Sequence, residues 1–268
     1  MYSEISSVPQ VVTSRTANSA RVSSLRILAL EAHAECLRLL RAPAFSVPVI
    51  GFPFMFYVLF GIMLGPRHAD PATMRGLVAT FVVFGVMAPG LFGLGVTLAL
   101  DRERGLLELK RALPMPAGIY LAAKVATAMI FSTIVSTLLL VTALTLGRVA
   151  LELVQCSLLL LLALLGVVPF CALGLLVGTL TKGQAAAAVI NLIYLPMSFL
   201  SGVFMPLSVL PHLVAQLAPL WPAYHLRELA MGIVGADAGA HLGSHVLSLT
   251  AMTTVFFAVA RRRLQRKG

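Results

Sequence analysis

Side chains capable of chemistry are few in this sequence, and their spacings are poor. His241 and His245 stand one helical turn apart, as two imidazoles on one metal would. Asp237 is the one carboxylate or thiol near them in sequence, so they read as interfacial histidines and no metal site is expected. Cys36, Cys156 and Cys171 form no Cys-x-x-Cys pattern; Cys36 and Cys171 sit in apolar surroundings and read as packed thiols. Gly178-Thr-Leu-Thr-Lys-Gly183 carries a lysine between glycines. It lacks the Gly-x-x-x-x-Gly-Lys-Ser/Thr order that wraps a nucleotide phosphate in backbone N–H groups. Gly-x-Ser-x-Gly, His-Glu-x-x-His and paired carboxylates within an apolar run are also missing. The chain is therefore expected to be no enzyme, to hold no cofactor, and to leave nucleotide binding to another chain.

The elements around these residues belong to a membrane protein. Of 268 residues 59% are hydrophobic and 11% charged, with a mean hydropathy of +0.95. Apolar residues gathered in runs of about 20 imply bilayer spans. The net charge is +10 and the pI about 10.3. The basic residues flank the apolar runs, where they set topology and meet lipid head groups, so no nucleic-acid partner is expected.

Six runs are predicted to cross as helices: Phe45–Leu64, Leu77–Leu100, Ile119–Leu146, Leu158–Leu180, Ala185–Phe204 and Leu242–Ala260. Unbroken apolarity without alternation favours helices over barrel strands. Pro48, Pro53, Pro89, Pro169 and Pro196 should kink them. With six spans, 16 of the 20 Lys and Arg residues fall on the side of both termini. That side should be cytoplasmic, because basic residues are retained there. Gly61 with Gly65, Gly174 with Gly178, and the Gly90, Gly93, Gly95 stretch mark expected close helix contacts.

Residues 1–20 are expected to form a cytosolic tail, with no signal-peptide core, so that the first span acts as the insertion signal. Residues 21–42 are predicted to form an amphipathic helix in the membrane interface, or packed on another subunit. Val22, Leu25, Leu28, Ala29, Ala32, Cys36 and Leu39 would lie on its apolar face, and Glu31, Glu35 and Arg38 on the other. The spans occupy residues 43–262, and a basic tail follows at 263–268. Asn191 is the clearest polar side chain inside a span, suited to lining a pathway or to hydrogen bonding between helices. Charge inside the spans is otherwise nearly absent, unlike the interior of an ion-coupled carrier.

Two loops carry more pattern than topology needs. Asp101 is predicted to cap a short helix, 101–113, that Pro114 ends. Leu106, Leu109 and Leu113 share one face, with Glu108, Lys110 and Arg111 beside it, which suits docking into a groove on a cytosolic partner. A plain positive-inside loop is the alternative. On the outer side, Ser201-Gly-Val-Phe-Met-Pro-Leu-Ser-Val-Leu-Pro211 and Ala218-Pro-Leu-Trp-Pro-Ala-Tyr-His225 break the helix yet stay apolar. A re-entrant or interfacial helical hairpin over 203–225 is expected, with Trp221 and Tyr224 at head-group depth.

Both loops resemble signatures of ABC exporter permeases of the type-2 class. Arg102, Glu103, Gly105 and Glu108 match the first motif; Leu106 stands where that class usually has Thr. Ser201, Gly202, Pro206 and Pro211 match the second. The likeness runs over about residues 20–265. It implies an all-α, six-span permease subunit in a bacterial cytoplasmic (inner) membrane. The cargo of such a subunit is drug-like, amphipathic or lipid-linked and leaves the cell, and ATP is hydrolysed by a separate ABC ATPase subunit in two copies. A second permease chain would complete a homo- or heterodimer among membrane lipids. Arg102, Glu103, Gly105, Leu106, Glu108 and Leu109 would then couple to the ATPase, and the 21–42 helix would supply a second contact. A secondary carrier and a non-transporting scaffold are the rival readings.

Overall fold

The computed structural model describes residues 24–65, 70–106, 109, 117–205, 207–236 and 241–267. Among them there are helices and no strands. Helix α1 (Ser24–Leu40) ends before Pro43, which opens α2 (Pro43–Phe56) and has no N–H to continue the earlier ladder. A π-helical segment, Tyr57–Met63, extends α2. Helix α3 (Pro71–Gly90) is capped by Asp70, which accepts from the Thr73 N–H at 3.3 Å. It runs on through a π-helical stretch, Leu91–Val96, into α4 (Thr97–Glu103). Each π segment lies shortly after an internal proline, Pro53 or Pro89. The missing proline N–H frees a carbonyl, and the ladder can then slip to wider pairing.

Then come α5 (Ala117–Thr145) and α6 (Leu153–Leu180), the latter opened by a Glu152–Gln155 capping box. Helix α7 (Ala185–Leu200), short α8 (His212–Leu217), α9 (Pro222–Val234) and α10 (Leu242–Lys267) complete the chain.

Among the described residues, five helices are long and apolar enough to cross a membrane: Pro43–Met63, Pro71–Glu103, Gly118–Thr145, Leu153–Leu180 and Leu242–Gln265. The fifth expected run is shorter than its hydropathy suggested. Helix α7 has 16 residues, about 24 Å of rise against a hydrocarbon core of about 30 Å. Gly202, at φ +77°, turns the chain after it.

The second span is the axis of the bundle, 89% buried over its apolar window, and packs on α5, α6 and α9. Glycines set those distances. A Cβ on Gly95 would stand 2.7 Å from the Gly174 carbonyl oxygen, and one on Gly178 would stand 2.6 Å from that of Gly95. The second and fourth spans therefore touch backbone to backbone, as their small residues predicted. Gly61 differs from that expectation: it faces the ring of Tyr57 on its own helix. At the periphery, α10 is only 6% buried over its window, and Val255, Phe257 and Val259 point outward. Exposed apolar faces of this kind suit lipid as solvent.

Candidate functional site

The expected emptiness of charge inside the spans is corrected at one end of the bundle. Glu35 of α1, Asp101 of α4 and Lys124 of α5 are all buried. Lys124 Nζ donates to Glu35 Oε1 at 2.6 Å and to Thr97 Oγ1 at 2.8 Å, and pairs with Asp101 Oδ2 at 3.0 Å. Its three N–H donors are all spent. Arg38 reaches Asp101 Oδ1 at 3.1 Å and Glu35 Oε1 at 2.7 Å. The Tyr120 hydroxyl donates to Asp101 Oδ2 at 2.5 Å. Two cations thus balance two carboxylates, and Asp101 holds partners from two other helices. Burial alone would lower the Arg38 pKa, but Glu35 and Asp101 hold it above the ordinary arginine value.

This cluster overturns two local expectations. Glu35 lies on the buried face of α1 with Ala32 and Leu39, while Leu25 and Leu30 are exposed. A helix whose solvent includes lipid can turn leucines outward and keep an acid for a partner inside. Asp101 does not cap a new helix, because the second span continues through it to Glu103. The break falls at Gly105, whose φ of +69° is the left-handed conformation that ends helices. Beyond it Leu106 and Leu109 are helical, with the Leu109 N–H bonded to the Gly105 carbonyl at 3.2 Å, and Leu109 is exposed. Glu108 and most of the expected 101–113 helix after Leu106 lie outside the described residues.

Arg102 and Glu103 turn toward the fourth span. Arg102 donates to the Gly178 carbonyl at 2.9 Å. The Glu103 carboxylate occupies the space that a Cβ on Gly183 would take, and Gly183 itself has a positive φ of +37°. The glycines of the false nucleotide motif therefore receive the two charged side chains that open the 102–109 stretch.

A cavity of about 1180 Å³ runs along one face of the bundle, lined by α2, the second span and α7. Asn191 lines it, and nine of the 14 phenylalanines surround it. Arg38, Asp101 and Arg104 stand on its wall at the charged end, and Met205 at the other.

At that other end, Ser201 is buried, and the Gly202 Cα position leaves a Cβ only 3.0 Å from Leu207 Cγ. Pro211 precedes α8, while Pro206 lies outside the described residues. The histidines pair in a way sequence spacing could not give. His245 meets His225 of α9, Nδ1 to Nδ1 at 2.9 Å, instead of joining His241. His225 Nε2 donates to the Pro219 carbonyl at 2.9 Å, leaving its Nδ1 to accept. Burial lowers the His225 pKa. Among the described residues no cluster of three or more His, Cys, Asp or Glu side chains could hold a metal ion.

Sequence reasoning missed Glu35 and Lys124 as site residues; their signal was an acid ahead of the first apolar run and a lysine near the start of the third, which topology alone explained.

Apolar helices of membrane-spanning length around a lengthwise cavity, with charge gathered at one end, define a multi-pass membrane protein. The family model of the ABC-2 type transporters matches residues 29–234, and the chain belongs to that family. It is 25% identical over 238 residues to a Bacillus subtilis (strain 168) protein named as a transport permease, YvfS. That alignment covers 88% of this chain and 96% of the relative.

Proposed function

We propose that this chain is the permease subunit of an ATP-driven exporter in a bacterial inner membrane, with both termini cytoplasmic. A separate ABC ATPase, in two copies, drives it, and a second permease chain completes the pathway. Membership of the ABC-2 family supports the ATPase partnership. The charge count supports the orientation, with 16 basic residues on the side of the termini. In this reading α7 is the fifth of six crossings, and α8 with α9 forms the outer hairpin.

The observation that carries the mechanism is the clustering of Glu35, Arg38, Asp101 and Lys124 beside the 102–109 stretch. Arg102 and Glu103 pin the base of that stretch to the fourth span, and Leu106, Glu108 and Leu109 meet the ATPase. A push on the stretch then moves α1 and the second, third and fourth spans together. Such a shift reshapes the cavity at Asn191. An ion-coupled carrier is less well supported, because the buried charges balance and Lys124 has no donor left to exchange.

The test places a cysteine at Asn191 in a chain freed of its native cysteines and measures maleimide labelling with the partner ATPase present. Labelling that changes when ATP is added supports the reading. Labelling indifferent to ATP argues for a scaffold.

A further inference from the structure

We propose that the cavity takes a membrane-resident amphiphile with an anionic head, and that Arg104 and Arg38 select the head. The inference rests on the exporter reading and narrows its cargo to one class.

The lining divides the molecule it would fit into two parts. Phe45, Phe52, Phe56, Phe84, Phe92 and Tyr194 enclose the body of the cavity between α2, the second span and α7. The five phenylalanine rings offer no hydrogen bonds to a sugar or peptide and pack well on hydrocarbon, Tyr194 adding one hydroxyl to an otherwise apolar wall. The volume, about 1180 Å³, exceeds the range of roughly 300–1,000 Å³ for sites that hold drug-sized ligands. The cavity follows the second span from Leu77 to Arg104, about 40 Å of helical rise, the reach of a long chain from one interface to the other.

Charge is confined to the cytosolic end, and there the balance is cationic. The Asp101 side chain is only 5% exposed, and both its oxygens are engaged, one by Arg38 and one by Tyr120 and Lys124. Glu35 is buried, and its Oε1 accepts from both Arg38 and Lys124. What these groups leave toward the cavity is guanidinium. The Arg38 side chain is 41% exposed and uses one N–H on each carboxylate, keeping the rest of its fork. Arg104 is exposed, lines the same end, and forms no ion pair among the described residues. Among the described residues the cavity wall carries these two guanidiniums and one carboxylate, Asp101, which is already paired; that set matches a phosphate or carboxylate head, and a cationic head would be repelled. The phenylalanines accept the tail whatever the head.

The experiment uses the full-length protein in nanodiscs of zwitterionic lipid, with two fluorescent probes sharing one long alkyl tail. One ends in a carboxylate and the other in its neutral amide. Expected is at least tenfold tighter binding of the carboxylate probe. Arg104→Gln should shrink that preference to about threefold or less, with the amide probe bound as before, and Arg104→Lys should restore part of it. Equal binding of both probes to the natural protein, or a preference that survives Arg104→Gln, overturns the proposal. So does binding of neither probe where cross-linking places a second copy of the chain along Phe52 and Phe56. Co-purification of an ATPase is scored on the same samples. If it persists while head selection fails, the charge inference falls and the permease reading stands.

Discussion

Replacing Lys124 by Met keeps the length and apolar stem of the side chain and removes one charge from the buried cluster. The ammonium makes contacts of 2.6, 2.8 and 3.0 Å with Glu35, Thr97 and Asp101. Removing one partner of a buried ion pair costs about 3–5 kcal/mol. Arg38 still reaches both carboxylates after the change, so the lower end, about 3 kcal/mol, is expected. At about 2–4 °C per kcal/mol for a chain of this size, the midpoint should fall by roughly 6–12 °C. The fully buried Cys171 thiol is a built-in reporter, silent to a thiol-reactive dye until the bundle opens. Combining Lys124→Met with Glu35→Gln removes the one stranded carboxylate, leaves Arg38 paired with Asp101, and should recover most of the loss, because a neutral replacement avoids a buried, uncompensated ion. A midpoint within about 2 °C of the natural protein for Lys124→Met, or a double variant worse than the single one, would refute the cluster's structural role.

Three further outcomes are expected. Gly178→Ala puts a methyl 2.6 Å from the Gly95 carbonyl oxygen; it should cost about 1–3 kcal/mol by overpacking, read as a lower dye midpoint. Gly183→Ala evicts the Glu103 carboxylate at a strained φ of +37°, and should weaken ATPase stimulation by the permease severalfold while insertion, followed by membrane fractionation, is unchanged. Burial depresses the folded-state pKa of His225, so its contribution to stability is complete above the ordinary histidine value and is lost as pH falls below it, the unfolded chain taking the proton first. Cross-linking between cysteines placed in α9 and α10 should thus decline from pH 7.5 to pH about 5, and His225→Gln should flatten the decline.

Much of this fold is legible as hydropathy, because a span must be apolar over its whole length and must satisfy its own backbone. The Gly174 and Gly178 contacts with the second span were legible too, since only small residues let backbones meet. The length of α7 was not, because its apolar run continues through Ser201–Phe204 after Gly202 has already turned the chain. The charged cluster was hidden for a different reason. Lys124 follows Glu35 by 89 positions and Asp101 follows Arg38 by 63, and no local period links residues so far apart. Lys124 therefore looked like one more topology charge, and Asp101 like a cap, its most common local use. Arg102 and Glu103 stood out as a motif, but their inward turn to Gly178 and Gly183 depends on how the second and fourth spans pack.

The central claim is that this membrane chain works on a separate ATPase through the stretch beginning at Arg102. Purifying the tagged chain from its native membrane in mild detergent, and identifying what accompanies it, tests that most directly. The account predicts a co-purifying ATPase with a Walker-type loop, lost when Glu103→Arg is combined with Gly105→Pro although the chain still inserts. A chain that purifies alone, or an ATPase retained in full by that double variant, would contradict it.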